Sequence, residues 1–171
     1  MIGDTNDNNR FFRSLVMGPP ASAFLCRAMG DEAETVRHTI AAAISYGYTS
    51  RVIDLQNVPR IDELMQALTD NPDKSAVTHL IGGNEWLKRT VPRERRDGSF
   101  YDSPYVHHVN MARENIFDIG DKIIWWLDEE GITLMATEAP DYFSWRAGIY
   151  SIDPKENFGR IPQIQAAKLT S

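Results

Sequence analysis

The segment Lys122-Ile123-Ile124-Trp125-Trp126-Leu127 decides how this chain is expected to fold. It is an almost continuous apolar run, and a strand without polar alternation is typically buried on both faces. Burial on both faces is a property of parallel sheets, because their crossover connections place helices above and below the strands. The segment therefore predicts an inner strand of a three-layer α/β domain.

Four further apolar segments complete the predicted sheet. We expect a mostly parallel sheet of about five strands near residues 22–28, 50–55, 76–82, 122–127 and 148–152. Helical patterns separate these strands. One pattern begins at Asp31, whose spacing to Glu34 is that of a capping box. Strands that alternate with helices indicate parallel βαβ units.

The regions outside this pattern set the predicted domain boundaries. We interpret residues 1–20 as a flexible N-terminal extension, residues 21–153 as the α/β domain and residues 154–171 as a C-terminal tail or linker. The charged stretch 88–103 is expected to be a mobile surface loop. Ser103-Pro104 then resembles an N-cap followed by a first-turn proline, which predicts a helix to about Ile119.

Length, charge and cysteine content exclude several protein classes. The chain has 171 residues, enough for one domain that folds without disulfide staples. Its 18 basic and 24 acidic residues give a net charge of −6, which disfavours general nucleic-acid coating. Cys26 is the single cysteine, so an internal disulfide is excluded and a cytoplasmic location is expected. The sequence has no apolar run of about 18 residues, so no membrane partner is expected.

The loop after the first predicted strand is the place where a nucleotide would bind in a parallel sheet. This loop, Met29–Glu34, lacks the glycines and the lysine of a phosphate-binding loop and carries three carboxylates instead. Glu85, after the third strand, could be a displaced relic of a hydrolase's acidic magnesium residue. The adjacent His107 and His108 would point about 100° apart on a helix, which does not suit a metal pair. We therefore predict no catalytic residue, no metal and no cofactor.

Arg113 is expected to be part of a buried ion pair. It falls in the middle of an apolar stripe of the helix predicted before Ile119, and an unpaired buried charge is costly. Its partner would be Glu114 nearby or Asp141 across space, and we favour Asp141.

The segment Ala139–Gly148 is dense in aromatic residues. Pro140 is expected to interrupt a helix, and Arg146 could stack on Trp145 or pair with an acid. The segment is predicted to form a corner of the core. Alternatively, it forms a surface on which a partner docks through Tyr142, Phe143 and Trp145.

The predicted loop is also a candidate basic patch. Between residues 88 and 96 it carries five positive charges and one negative charge, contributed by Glu94. Its basic residues are Lys88, Arg89, Arg93, Arg95 and Arg96. Such a loop could contact nucleic acid, although most charged loops are simply solvated.

Together these motifs resemble a known family, the P-loop-like α/β domain at the front of many bacterial STAND or NLR-like and tetratricopeptide-repeat proteins. The resemblance covers about residues 20–153, and it is carried by Leu80–Leu87, Val109–Glu114 with Asn110 and Arg113, Ile124–Leu127, and Ala139–Gly148. The family resembles a nucleotide hydrolase that has lost its phosphate loop. It implies a P-loop-NTPase-like fold and a role in signalling and conflict, including antiphage defence.

Three functions follow as competing hypotheses. The first is a non-catalytic adaptor or sensor module that binds another protein: an effector, a repeat-containing subunit or a second copy of itself. The second is a nucleotide-binding or hydrolysing enzyme with an unconventional site, which would need Glu85, Arg113 and Arg146 to converge on one pocket. The third is nucleic-acid sensing through residues 88–96.

Overall fold

A computed structural model of the protein describes residues 7–94 and 100–156. The strands are β1 Ser22–Ala28, β2 Ser50–Asp54, β3 Val77–Ile81, β4 Thr90–Glu94, β5 Phe100–Pro104, β6 Lys122–Trp126 and β7 Gly148–Ile152. The helices are α1 Asp7–Met17, α2 Glu32–Ser45, α3 Ile61–Thr69, α4 Gly83–Lys88, α5 Tyr105–Met111, α6 Arg113–Asp118, α7 Glu129–Glu138 and α8 Pro140–Ser144.

The main sheet has five parallel strands in the order β2-β3-β6-β1-β7. Each strand lies within one residue of its predicted range. The α/β fold with a parallel sheet of about five strands is therefore confirmed. The inner strands β6 and β1 run side by side, with Phe24 opposite Ile124 and Leu25 opposite Trp125.

Both faces of the sheet are buried, as the sequence of β6 predicts. Trp125 lies in the core between the sheet and helices α3 to α8, while Trp126 lies in the core that α1 and α2 cover. Each is at most 1% exposed. Burying about 200 Å² of an indole stabilises the fold by up to about 5 kcal/mol, so this adjacent pair holds the two outer layers onto one strand.

The predicted boundary at residue 21 is wrong, because residues 7–17 form helix α1 and are part of the core. Phe11 and Phe12 are fully buried, and the Phe11 ring lies 5.5 Å from that of Phe24 on β1. The polar residues at the start of the helix also form hydrogen bonds with β7 and the residue that follows it. The Asp7 carboxylate accepts a bond of 2.8 Å from the Ser151 backbone N–H, and Asn8 bonds both backbone groups of Asp153. α1 thereby covers the β7 edge of the sheet.

The stretch predicted as a mobile loop contains regular structure instead. β4 and β5 pair as an antiparallel ribbon, with Thr90 opposite Pro104 and Glu94 opposite Phe100. Ser103 and Pro104 end β5 rather than begin a helix. Val91 and the aromatic residues of β5 favour extended backbone, a preference that the surrounding arginines obscure in the sequence. The mobility expected within 88–103 stays a prediction, and residues 95–99 lie outside the described residues.

The single helix predicted up to Ile119 is broken at Ala112, whose backbone angles are φ −89° and ψ 5°. α5 ends at Met111 and α6 begins at Arg113. The break moves Arg113 out of the apolar stripe that a continuous helix would form. None of the helices within residues 7–94 and 100–156 is long and apolar enough to cross a membrane.

Candidate functional site

The first candidate site is a corner where α5, α6 and α8 meet near the beginnings of β6 and β7. Asn110 on α5 fixes its geometry. The Asn110 Oδ1 atom accepts bonds from the backbone N–H groups of Asp141 at 2.8 Å and of Tyr142 at 3.0 Å. α8 has no side-chain cap from its own N-cap residue Ala139. Asn110 therefore supplies from another helix the cap that α8 would otherwise lack.

Arg113 and Asp141 lie together, as predicted, but they are not buried. The Arg113 Nη1 and Asp141 Oδ2 atoms are 3.8 Å apart, and the side chains are 30% and 60% exposed. The same Nη1 donates a bond of 2.9 Å to the Asn110 carbonyl. The expected buried ion pair is therefore wrong, because the helix break at Ala112 places Arg113 at the surface. Glu114, the alternative partner, is exposed on α6.

Tyr142, predicted as a docking residue, belongs to the core. It is 1% exposed, and its hydroxyl accepts a bond of 2.9 Å from the Trp125 indole N–H. Burial raises the pKa of the Tyr142 phenol well above its usual value. Tyr142 therefore anchors α8 to β6 and cannot meet a partner.

Trp145 and Phe143 do reach the surface. Trp145 is 43% exposed, packs edge-on against Phe117 at 4.9 Å, and lies 5.8 Å from the Arg113 guanidinium. The Arg146 guanidinium stacks 4.0 Å from the centre of the Phe143 ring and donates to the Phe143 carbonyl at 2.9 Å. We refer to this group as the Trp145 corner: Arg113, Phe117, Asp141, Phe143, Trp145 and Arg146.

A second candidate site is a cleft of about 590 Å³ at the carboxyl ends of β2, β3 and β6. It is named here the acidic cleft. Its floor is apolar and is formed by Val36, Ile40, Val52 and Ile81. Its acidic lining residues are Glu32, Asp54, Glu85 and Asp128, against one cation, Arg37. Partial burial raises the pKa of Glu32, and the carboxylates of Asp128, Asp31 and Asp54 raise it further.

The turn from β3 into α4 explains the glycines beside Glu85. Gly82 has a left-handed φ of +73°, and a Cβ added there would lie 2.9 Å from the Asp54 carboxylate. A Cβ on Gly83 would lie 2.8 Å from the Leu127 side chain. Close packing at this turn therefore requires glycine. Glu85 lines the cleft from the first turn of α4 and is solvent-exposed.

Sequence reasoning missed Asn84, which joins two loops of this edge. Its Oδ1 atom accepts a bond of 2.8 Å from the Asp128 backbone N–H, and the Asp128 carboxylate in turn caps α7 through Gly131. An asparagine in the first turn of a helix gives no sequence signal for a partner 44 residues away. The only available hint is its place after a buried strand.

His79 and His107 have structural partners. His79 is fully buried, and its Nδ1 atom accepts a bond of 3.0 Å from the Trp126 indole N–H. Burial lowers the pKa of His79 to about 4, so the ring is neutral at physiological pH. His107 pairs with Glu138 at 3.0 Å on the surface. In the described ranges, no three His, Cys, Asp or Glu side chains are arranged to hold a metal ion.

The structure describes three residues of the candidate basic patch: Lys88, Arg89 and Arg93. Lys88 forms an ion pair with Glu130 at 3.3 Å, and this bond raises the pKa of the lysine. Arg89 follows at the end of α4, and Arg93 lies on β4. Arg95 and Arg96 lie outside the described residues. The structure does not bring Glu85, Arg113 and Arg146 into one pocket: Glu85 lines the acidic cleft, whereas both arginines belong to the Trp145 corner.

Comparison of the chain with models of protein families, with curated proteins and with solved structures finds no match. The resemblance to the P-loop-like domain of STAND proteins therefore stays a prediction.

Proposed function

We propose that this chain is a non-catalytic adaptor or sensor module that docks onto another protein through the Trp145 corner. The observation that carries the proposal is a partly exposed indole, 43% accessible, held between the Phe117 ring and the Arg113 guanidinium. In keeping with the family resemblance, we place this role in a cytoplasmic bacterial conflict or antiphage defence system.

The composition and rigidity of the corner support docking. Tryptophan and arginine are the residues that most often dominate the binding energy of protein interfaces. Here two arginines flank the exposed aromatic residues, and each donates one N–H group to a backbone carbonyl at 2.9 Å. Asn110 fixes the start of the helix that leads to Trp145. Because these side chains are already held, less conformational entropy is lost when a partner binds.

The acidic cleft disfavours the nucleotide alternative. The carboxyl edge of a parallel sheet is where a nucleotide would bind. Four carboxylates and one arginine line the cleft at that edge, so nucleotide phosphates would be repelled. The cleft has the opposite charge character to a phosphate cradle, which supports a non-catalytic role.

Affinity capture from an extract of the source organism, followed by titration of the purified partner, tests the proposal. We expect a protein retained by wild type and lost by Trp145→Ala, with binding weakened by about tenfold or more. Met111→Ala is the matched control, because Met111 is 75% exposed and lies outside the corner. If wild type, Trp145→Ala and Met111→Ala retain the captured protein equally, the Trp145 corner is not the docking surface.

Two titrations test the alternatives. Heat released on adding ATP or GTP with magnesium, abolished by Glu85→Ala, would instead make the chain a nucleotide-binding protein. The β4–β5 ribbon favours nucleic acid as a third candidate, since a two-stranded ribbon can enter a major groove. Duplex DNA or RNA binding that weakens steeply with salt would support that candidate. We expect neither result.

A further inference from the structure

We propose that the partner of the Trp145 corner is the acidic cleft of a second copy of this chain, so that molecules associate head to tail. This inference rests on the proposed function, because it names the protein that the corner binds.

The two surfaces are complementary in charge. The corner presents two guanidinium groups, those of Arg113 and Arg146, around its aromatic residues, against one carboxylate, that of Asp141. The cleft presents four carboxylates and a single cation, Arg37. Opposite charges around an apolar centre steer two surfaces together and fix their register.

The surfaces are also complementary in shape and polarity. The corner presents an indole that is 43% exposed, and the cleft is a concavity of about 590 Å³ with an apolar floor. Val52 on that floor is 46% exposed, and Ile44 is 59% exposed one helical turn beyond the lining residue Ile40. These side chains leave apolar surface in water, which insertion of Trp145 would cover.

The sheet topology keeps the two surfaces apart within one molecule. Trp145 lies just before β7, at the amino end of one edge strand, whereas Val52 lies on β2, the opposite edge strand. The cleft opens at the carboxyl ends of the strands. A molecule therefore cannot fill its own cleft. Each contact between copies leaves one corner and one cleft unused, so assembly continues to a ring or a filament.

Sedimentation velocity of the full chain, from about 1 µM to about 500 µM, measures this association. For wild type and for Met111→Ala we expect a sedimentation coefficient that rises with concentration past that of a dimer and falls when salt is added. Two variants should each weaken association at least tenfold. Trp145→Ala removes the indole, and Val52→Glu places a charge on the cleft floor.

A mixture of Trp145→Ala and Val52→Glu tests whether the corner of one copy binds the cleft of another. Trp145→Ala keeps an intact cleft and Val52→Glu keeps an intact corner, so an equimolar mixture should form heterodimers and nothing larger. Glu85→Lys, an exposed rim substitution, provides a second cleft variant and should also associate at least tenfold more weakly. Circular dichroism melts establish that each variant is folded.

Three results would overturn the inference: a wild-type monomer at every concentration, a plateau at a symmetric dimer, or a mixture of the two variants that stays monomeric. None of them would overturn the proposed function, because a different protein captured through Trp145 would still support it. If wild type captures no protein through Trp145 and also stays monomeric, both this inference and the proposed function are contradicted.

Discussion

Asn110 is the residue whose removal should disturb the corner most. Asn110→Ala leaves the backbone N–H groups of Asp141 and Tyr142 without the acceptor that now lies 2.8 and 3.0 Å away. Loss of a helix cap costs about 0.5–2 kcal/mol, so urea unfolding should show a loss of about 1–2 kcal/mol. The matched control is Asn115→Ala, an exposed asparagine on α6 that should change stability by less than about 0.5 kcal/mol. Equal effects of the two variants would contradict the capping role.

Arg113 should contribute little to stability. Because its pair with Asp141 is 3.8 Å long and solvent-exposed, Arg113→Ala should cost about 1 kcal/mol or less in urea unfolding. A buried pair would cost about 3–5 kcal/mol instead. A measured loss of about 3–5 kcal/mol would mean that the Arg113–Asp141 pair is buried in solution, and would contradict its exposed position.

His79 should make stability depend on pH. The pKa of the buried ring is lowered from its ordinary 6.5 to about 4, so the unfolded chain binds the proton more tightly. The contribution of the neutral His79 ring to the free energy of unfolding is fully present above pH 6.5. It is lost as the pH falls towards 4, by about 3 kcal/mol in total. His79→Gln retains an acceptor for the Trp126 indole but has no titrating ring. The stability advantage of wild type over His79→Gln should therefore shrink between pH 7 and pH 4, and a constant difference would contradict the shift.

At the scale of elements, α1 should be an integral part of the domain. Phe11 is fully buried among Phe12, Phe24 and Tyr150, so Phe11→Ala should cost about 3–5 kcal/mol. Met17→Ala is the control on the same helix, because Met17 is 67% exposed and should tolerate the change. Chemical denaturation measures both. A small effect of Phe11→Ala would indicate that α1 does not stay on the sheet.

The sequence predicts elements well where one local pattern decides them. The apolar run at β6 and the Asp31 cap of α2 need no distant information, and both appear where expected. Features that depend on distant partners are missed. Nothing local to Arg51 shows that it bonds the last carbonyls of α3 and pairs with Asp121 at 2.8 Å. The break at Ala112 likewise has no glycine or proline to signal it, so an argument from a continuous helical stripe wrongly predicts that Arg113 is buried.

For the whole molecule, the parallel sheet follows from sequence periodicity, but the two candidate surfaces do not. The aromatic segment 139–148 is visible in the sequence. Its division into a buried Tyr142 and an exposed Trp145 depends on how α8 meets α6. The acidic cleft is assembled from residues after three separate strands and from α2, with its floor on the opposite face of the sheet from the corner. Tertiary packing therefore decides both candidate surfaces.

Photo-crosslinking at position 145 in living cells of the source organism tests whether the Trp145 corner is a docking surface. A photoreactive phenylalanine analogue replaces Trp145 in one strain and Met111, which is 75% exposed and is not one of the corner residues, in another. We expect one dominant crosslinked protein at position 145, a second copy of the chain or another protein, and no such product at position 111. The same products at both positions, or none at 145, would contradict the assignment of the Trp145 corner as a docking surface.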